Sequence, residues 1–189
     1  MDIGCAHGDY CGAFTSRSYR AVGLDINAEL LKECNSLYPQ VAPVRADAQA
    51  LPFHKQSFDA IISTNVLRYI PDIVSTLTEC NRIMKDNGRL VLICHNRLCP
   101  DTLLKKDPYV VRRYDIISLK RLLSETGFRV LGARMLLIPY RSTPMPLVNF
   151  ILRHSSTINN LSSKVGFDKI FPEIIVYAVK ERELNGKNT

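Results

Sequence analysis

The chain has 189 residues, of which 46% are apolar and 23% charged, and it carries a formal net charge of +7. That length suits one domain with a buried core, and the composition excludes a disordered or fibrous chain. No apolar run reaches the roughly 18–20 residues that span a bilayer, and the opening residues do not read as a secretory leader.

In chain order, short apolar runs alternate with helical stretches, the pattern of a parallel sheet covered by helices. MDIGCAHGDYCGAF, residues 1–14, reads as a strand end entering a glycine-rich turn and then a helix. AVGLDI, residues 21–26, predicts the next strand. In NAELLKECNSLY, Asn27 is the N-cap, Leu30, Leu31, Cys34 and Leu37 recur at helical spacing, and Pro39 stops the helix. VAPVRADA predicts a short strand ending near Asp47, and FDAIISTNV a fourth, apolar enough for burial on both faces.

IVSTLTECNRIMKDNG predicts a helix with Ile73, Leu77, Cys80, Ile83 and Met84 on one stripe, closed by Asn87-Gly88. RLVLICH is the fifth strand. DIISLKRLLSETGF predicts a helix starting near Asp115 or Ser118 and ending before Gly127. RVLGARMLLIPY and EIIVYAVKE are two late strands without the usual helical crossover, expected to pair antiparallel at one sheet edge. Between them, residues 141–172 hold Pro144, Pro146 and Pro172, with Leu147, Phe150, Ile151, His154 and Ile158 at helical spacing. Residues 1–182 are expected to form a single domain and residues 183–189 a frayed polar tail.

Small residues at Gly4, Ala6 and Gly8 let a backbone approach a ligand between strand and helix, where free N–H groups gather. Asp25 ends the next strand, placed to accept both hydroxyls of a ribose, an acid that a dinucleotide enzyme would share. Asp47 ends the third strand, placed to accept from an adenine amino group, and Leu51-Pro52-Phe53 supplies apolar surface beyond it.

Taken together, D-x-G-x-x-x-G, V-G-L-D and D-A-x-x-L-P-F-x-x-x-S-F-D resemble the class I S-adenosylmethionine-dependent methyltransferases. The nearest branch is the small-molecule, type 11-like one, which includes quinone and sterol methyltransferases. MKDNGRLVL and SLKRLLSETGFRVL extend the resemblance over nearly the whole chain. It implies an α/β, Rossmann-like doubly wound, mostly parallel seven-stranded sheet with an antiparallel edge strand. It also implies S-adenosylmethionine as cofactor. The turn would then sit at the end of a central strand nearly missing here, so the chain is expected to be N-terminally truncated, with further residues preceding Met1 in the full gene product.

By the same resemblance, Asp2 and the backbone of Gly4, Cys5, Ala6 and Gly8 face the methionine part of the cofactor. Asp25 holds the ribose and Ile26 lies on one face of adenine. Asp47 and the Ala48 backbone read the adenine edge, and Asn65 stands beside the transferring methyl. Ala6 occupies a position where the family usually has glycine.

Methyl transfer asks the protein to align the reactants and exclude water, and a base is needed only when the acceptor must lose a proton. No catalytic residue is assigned; His95, Tyr69 and Arg68, near the carboxyl ends of the strands, are the candidates. No metal site is expected, since Cys94, His95 and Cys99 do not assemble four ligands. The six cysteines form no C-x-x-C pair and read as reduced, mostly buried thiols of a cytoplasmic protein. The basic residues are dispersed, so no nucleic-acid partner is expected, while an anionic substrate or peripheral membrane contact stays open.

The leading expectation is methyl transfer to a small-molecule or lipid-like acceptor, with residues 141–172 shaping the acceptor site. The alternative is an inactive methyltransferase-like remnant acting as a binding or assembly module. A nicotinamide oxidoreductase suits the L-P-F stretch and the paired late strands less well. The acceptor and the oligomeric state are unassigned.

Overall fold

The computed structural model describes residues 1–98, 107–136 and 173–181. The helix-compatible stretch within residues 141–172, Cys99 and the tail from 183 onward lie outside them.

Seven strands form one sheet: β1 (Asp2–Ile3), β2 (Val22–Asp25), β3 (Ala42–Arg45), β4 (Phe58–Thr64), β5 (Met84–His95), β6 (Phe128–Leu136) and β7 (Glu173–Lys180). Their order is β3-β2-β1-β4-β5-β7-β6. The first five are parallel to one another, and β7 runs antiparallel to both β5 and β6. The reversed strand thus lies one place in from the edge, and β6 closes the sheet. Because the chain crosses from β3 back to β1's far side to make β4, the carboxyl ends of β1 and β4 diverge there, the place where doubly wound sheets bind ligands.

Among the described residues, four α-helices pack on the sheet: α1 (Asp9–Thr15), α2 (Ala28–Leu37), α3 (Ile73–Ile83) and α4 (Ile116–Glu125). Asn27 caps α2 as expected, its side chain accepting from the Glu29 and Leu30 amides. Asp115 caps α4 in a reciprocal box with Ser118. Gly127, at φ +80, provides the left-handed exit that an L side chain adopts at a cost. The main core joins Ile73, Leu77 and Ile83 of α3 and Leu119 and Leu123 of α4 to Ile61, Leu90 and Leu92 of the sheet. A smaller cluster under α1 and α2 is built from Cys5, Cys11, Cys34, Leu31, Ala21 and Val41.

Two expectations are corrected. The α3 helix stops at Ile83 rather than at Asn87-Gly88: Met84 already has extended backbone, fully buried at the start of β5. Asn87 takes φ +60 inside that strand, whose register with β4 shifts between Phe58 and Ala60. The Asn-Gly pair therefore bends a strand instead of ending a helix. Strand β4 is not buried on both faces throughout, since Asp59 and Ala60 are exposed and only its second half enters the core. Strand β1 meets it at Ile62 and Ser63 alone. A cavity of about 600 Å3 opens beside the first half of β4, lined by Phe14, Tyr19, Phe58 and Val91 among others.

Candidate functional site

The turn after β1 is held by its own amides. The Gly4 and Cys5 N–H groups both donate to the Leu24 carbonyl, at 2.7 and 3.0 Å, and Gly8 N–H donates to Cys5 C=O at 2.8 Å. Ala6 N–H donates to Asp25 Oδ2 at 3.0 Å. These four amides of the turn are thus taken, while no side chain among the described residues caps the N-terminus of α1 that follows. The small residues have a structural reason too. Gly4 and Gly8 take φ +71 and +83, and an added Cβ would collide with Val66 and with Cys34 Sγ respectively. Ala6 adopts φ +47, a left-handed conformation carried without glycine.

Three carboxylates belong to three neighbouring strands or lie just beyond them. Asp2, in β1, is buried, with no partner for Oδ1 among the described residues. Burial pushes its carboxyl up to about 7; the terminal ammonium opposes this and Asp25 adds to it. Asp25 ends β2 and is clamped, Oδ2 by Ala6 N–H and Oδ1 by Asn27 N–H at 2.9 Å. Asp47 lies exposed two residues beyond β3, both oxygens accepting from Gln49 Nε2 at 3.1 and 3.0 Å. Ile26 leaves 66% of its surface in solvent beside Asp25, whereas Ala48 is buried.

Gln49, which the sequence reasoning did not single out, also accepts the Asp72 amide through Oε1, tying Asp47 to the start of α3. Of the Leu51-Pro52-Phe53 stretch, Leu51 and Phe53 turn toward the protein and Pro52 is exposed. Leu51 is buried, its N–H donates to Glu79, and Arg82 donates to the Leu51 and Phe53 carbonyls. Phe53 packs edge-on against Phe58. Its apolar character thus serves the core.

On the other side of β1, Asn65 follows β4 at φ +59, with its N–H donating to Ile93 C=O at 2.7 Å. Five buried polar atoms with no partner among the described residues cluster near this carboxyl edge: Thr64 Oγ1, Asn65 Oδ1, Arg68 Nε, Tyr114 OH and Glu173 Oε2. An orphaned buried group costs about 1–3 kcal/mol, so five of them mark space shaped for something polar rather than for packing. His95, the last residue of β5, places Nδ1 2.9 Å from Glu173 Oε1. Tyr69 is spent otherwise: its hydroxyl donates to Asp107 at 3.1 Å and its ring carries the Arg68 guanidinium at 4.6 Å. Glu173 and Tyr114 escaped the sequence reasoning because only tertiary pairing brings them to this edge. No group of three metal-ligating side chains is found among the described residues, and none of their helices is long and apolar enough to cross a membrane.

Residues 1–92 match the methyltransferase domain family. The chain is 24% identical over 132 residues to a "Probable S-adenosylmethionine-dependent methyltransferase" of Mycolicibacterium smegmatis, covering 69% of this chain and 51% of the relative. It is 31% identical over 99 residues to the demethylmenaquinone methyltransferase of Staphylococcus aureus, covering 49% of this chain and 41% of that one. The chain thus spans about half the length of the curated relatives it matches. A solved S-adenosylmethionine-dependent methyltransferase of Methanosarcina mazei shares the fold, with a TM-score of 0.72 at 19% identity, over 96% of this chain and 92% of that one.

Proposed function

We propose that this chain, whose residues 1–92 match the methyltransferase domain family, is a class I S-adenosylmethionine-dependent methyltransferase of the type 11-like branch that methylates a small-molecule or lipid-like acceptor. The observation that carries this reading is the donor set of the site. Asp2, Asp25 and Asp47 stand on three neighbouring strands or just beyond them, Asp25 being held by the Ala6 and Asn27 amides. Such a set of carboxylates favours a ligand bearing hydroxyls, an amino group and positive charge.

S-adenosylmethionine supplies an already activated methyl on a cationic sulfur. In this reading Asp25 accepts the ribose hydroxyls on lone pairs left free by its two amide partners. Ile26 covers one face of adenine, while Asp47, held by Gln49, and the Ala48 backbone read its edge. Asp2 and the turn from Gly4 through Cys5, Ala6 and Gly8 hold the methionine part, with the Asp2 carboxyl balancing its charge. Asn65 faces the methyl. The acceptor enters over the orphaned groups near β4 and β5. The S. aureus relative's name points to a quinone-derived acceptor as one member of the class.

Calorimetric titration with S-adenosylmethionine and with NAD tests the reading. Binding of the first and not the second is expected. Asp25→Ala should weaken it on the order of 10- to 100-fold, as for hydrogen bonds to a charged group. Tight NAD binding, or Asp25→Ala with native affinity and native melting, would overturn the assignment.

A further inference from the structure

We propose that His95 and Glu173 form the proton-accepting pair of this site, with His95 taking the proton of a hydroxyl-bearing acceptor and Glu173 fixing the ring that receives it. This rests on the methyltransferase reading and deepens it by naming the acceptor's chemistry.

The pair is built by strand register. In the antiparallel ladder of β5 and β7, His95 lies directly opposite Glu173, at the carboxyl end of β5 and the start of β7. Glu173 retains 9% of its side-chain exposure and His95 23%, so the carboxylate sits in the sheet and the imidazole at its rim. With Nδ1 2.9 Å from Oε1, the ring nitrogen that faces Glu173 carries the hydrogen. Nε2 is then left as an acceptor, and no hydrogen bond of Nε2 is seen among the described residues.

The surroundings fit a reacting group better than a structural one. Thr64 Oγ1, Asn65 Oδ1 and Tyr114 OH are buried and unpartnered near the same edge, and so is Glu173 Oε2 itself. The hydroxyl of Tyr69, the other candidate base, is committed to Asp107. Among the described residues, the other ionisable groups near this edge include Cys94 on the same strand, Arg68 and Tyr69 after β4, Asp107 on the Tyr69 hydroxyl, Tyr114 with Arg112 near it, and the Arg97–Asp115 pair at 2.6 Å.

The step balances without a further reactant. The acceptor O–H bond breaks, its proton goes to Nε2 and its electron pair stays on oxygen. That oxygen bonds to the methyl carbon as the carbon–sulfur bond breaks, with the pair of that bond returning to sulfur. The imidazolium afterwards gives its proton to solvent. His95 is the catalytic residue of this step and Glu173 a positioning residue.

The probe is 1,4-dihydroxynaphthalene with radiolabelled S-adenosylmethionine, followed from about pH 5 to 9 beside calorimetric cofactor binding. His95→Gln is expected to lower kcat about 100-fold or more with cofactor affinity unchanged. Glu173→Gln should lower kcat about 10-fold, leave KM in place and move the acid limb of the profile to lower pH, because a neutral amide no longer supports the imidazolium. Imidazole nitrogen spectra of the ligand-free protein should show His95 hydrogenated at Nδ1, and a mixed tautomer in Glu173→Gln; this readout stands even if His95→Gln does not fold. An Nε2-hydrogenated His95, an unmoved acid limb, or full turnover in His95→Gln would overturn the pair. A protein that binds S-adenosylmethionine but leaves the probe unmethylated overturns the hydroxyl-acceptor assignment, whereas loss of cofactor binding in the wild type sinks the methyltransferase reading instead.

Discussion

The ends of β1 to β3 and the ends of β4, β5 and β7 solve the same problem, where polar groups go at a sheet edge, in opposite ways. On the first side the acids are tied down at short range: Asp25 by Asn27 and Ala6, Asp47 by Gln49. On the second, Thr64, Asn65, Arg68, Tyr114 and Glu173 each keep a buried atom without a partner. A rigid, self-satisfied side suits a ligand that every relative shares, and an unsatisfied side suits one that differs between them. Asp2 is the exception, an orphaned acid on the self-satisfied side.

The largest blow to the comparison should come from Gly8→Ala. The new Cβ meets Cys34 Sγ while the backbone stays at φ +83, so neither packing nor torsion accommodates it. A loss of about 2–4 kcal/mol in urea unfolding, with cofactor binding abolished, is expected. Native stability would mean that the turn is pliable and the contrast false.

Asp2 sharpens the exception. Its folded carboxyl, pushed up to about 7 mainly by burial, binds a proton more tightly than the unfolded one near 3.8. The native state therefore holds the extra proton between those values, and stability falls as pH rises from about 4 to about 7. Asp2→Asn should flatten that slope in pH-dependent melts.

The smallest effect concerns the other side. Tyr114→Phe deletes a buried hydroxyl that has no partner, so stability should rise by about 1 kcal/mol and cofactor affinity should hold. Methylation of the hydroxyl probe should fall. A destabilised Tyr114→Phe protein would show that this edge is structural after all.

The contrast also explains what could be read from the chain alone. Asp25, Asn27 and Gly127 were legible because caps, strand ends and left-handed exits are local matters. The end of α3 was misread because Asn87-Gly88 satisfies a helix exit and a strand bend equally, and only pairing with β4 decides between them. Nor does the turn's sequence show that Leu24 C=O and Asp25 reach the Gly4, Cys5 and Ala6 amides from the next strand. Glu173 had no signal, since a lone acid before IIVYAVK gains meaning only opposite His95.

Beneath the turn, Cys5, Cys11 and Cys34 pack as small apolar residues, all buried. Burial pushes the Cys11 thiol up to about 12 and raises the Cys5 and Cys34 thiols as well, so none is a ready nucleophile in the closed fold. Their chemistry is therefore a clock. An alkylating reagent can reach these sulfurs only in the moments when the loop above them lifts, and the labelling rate counts those moments. The chain thus carries, in its own sulfur atoms, a record of how often its ligand turn breathes.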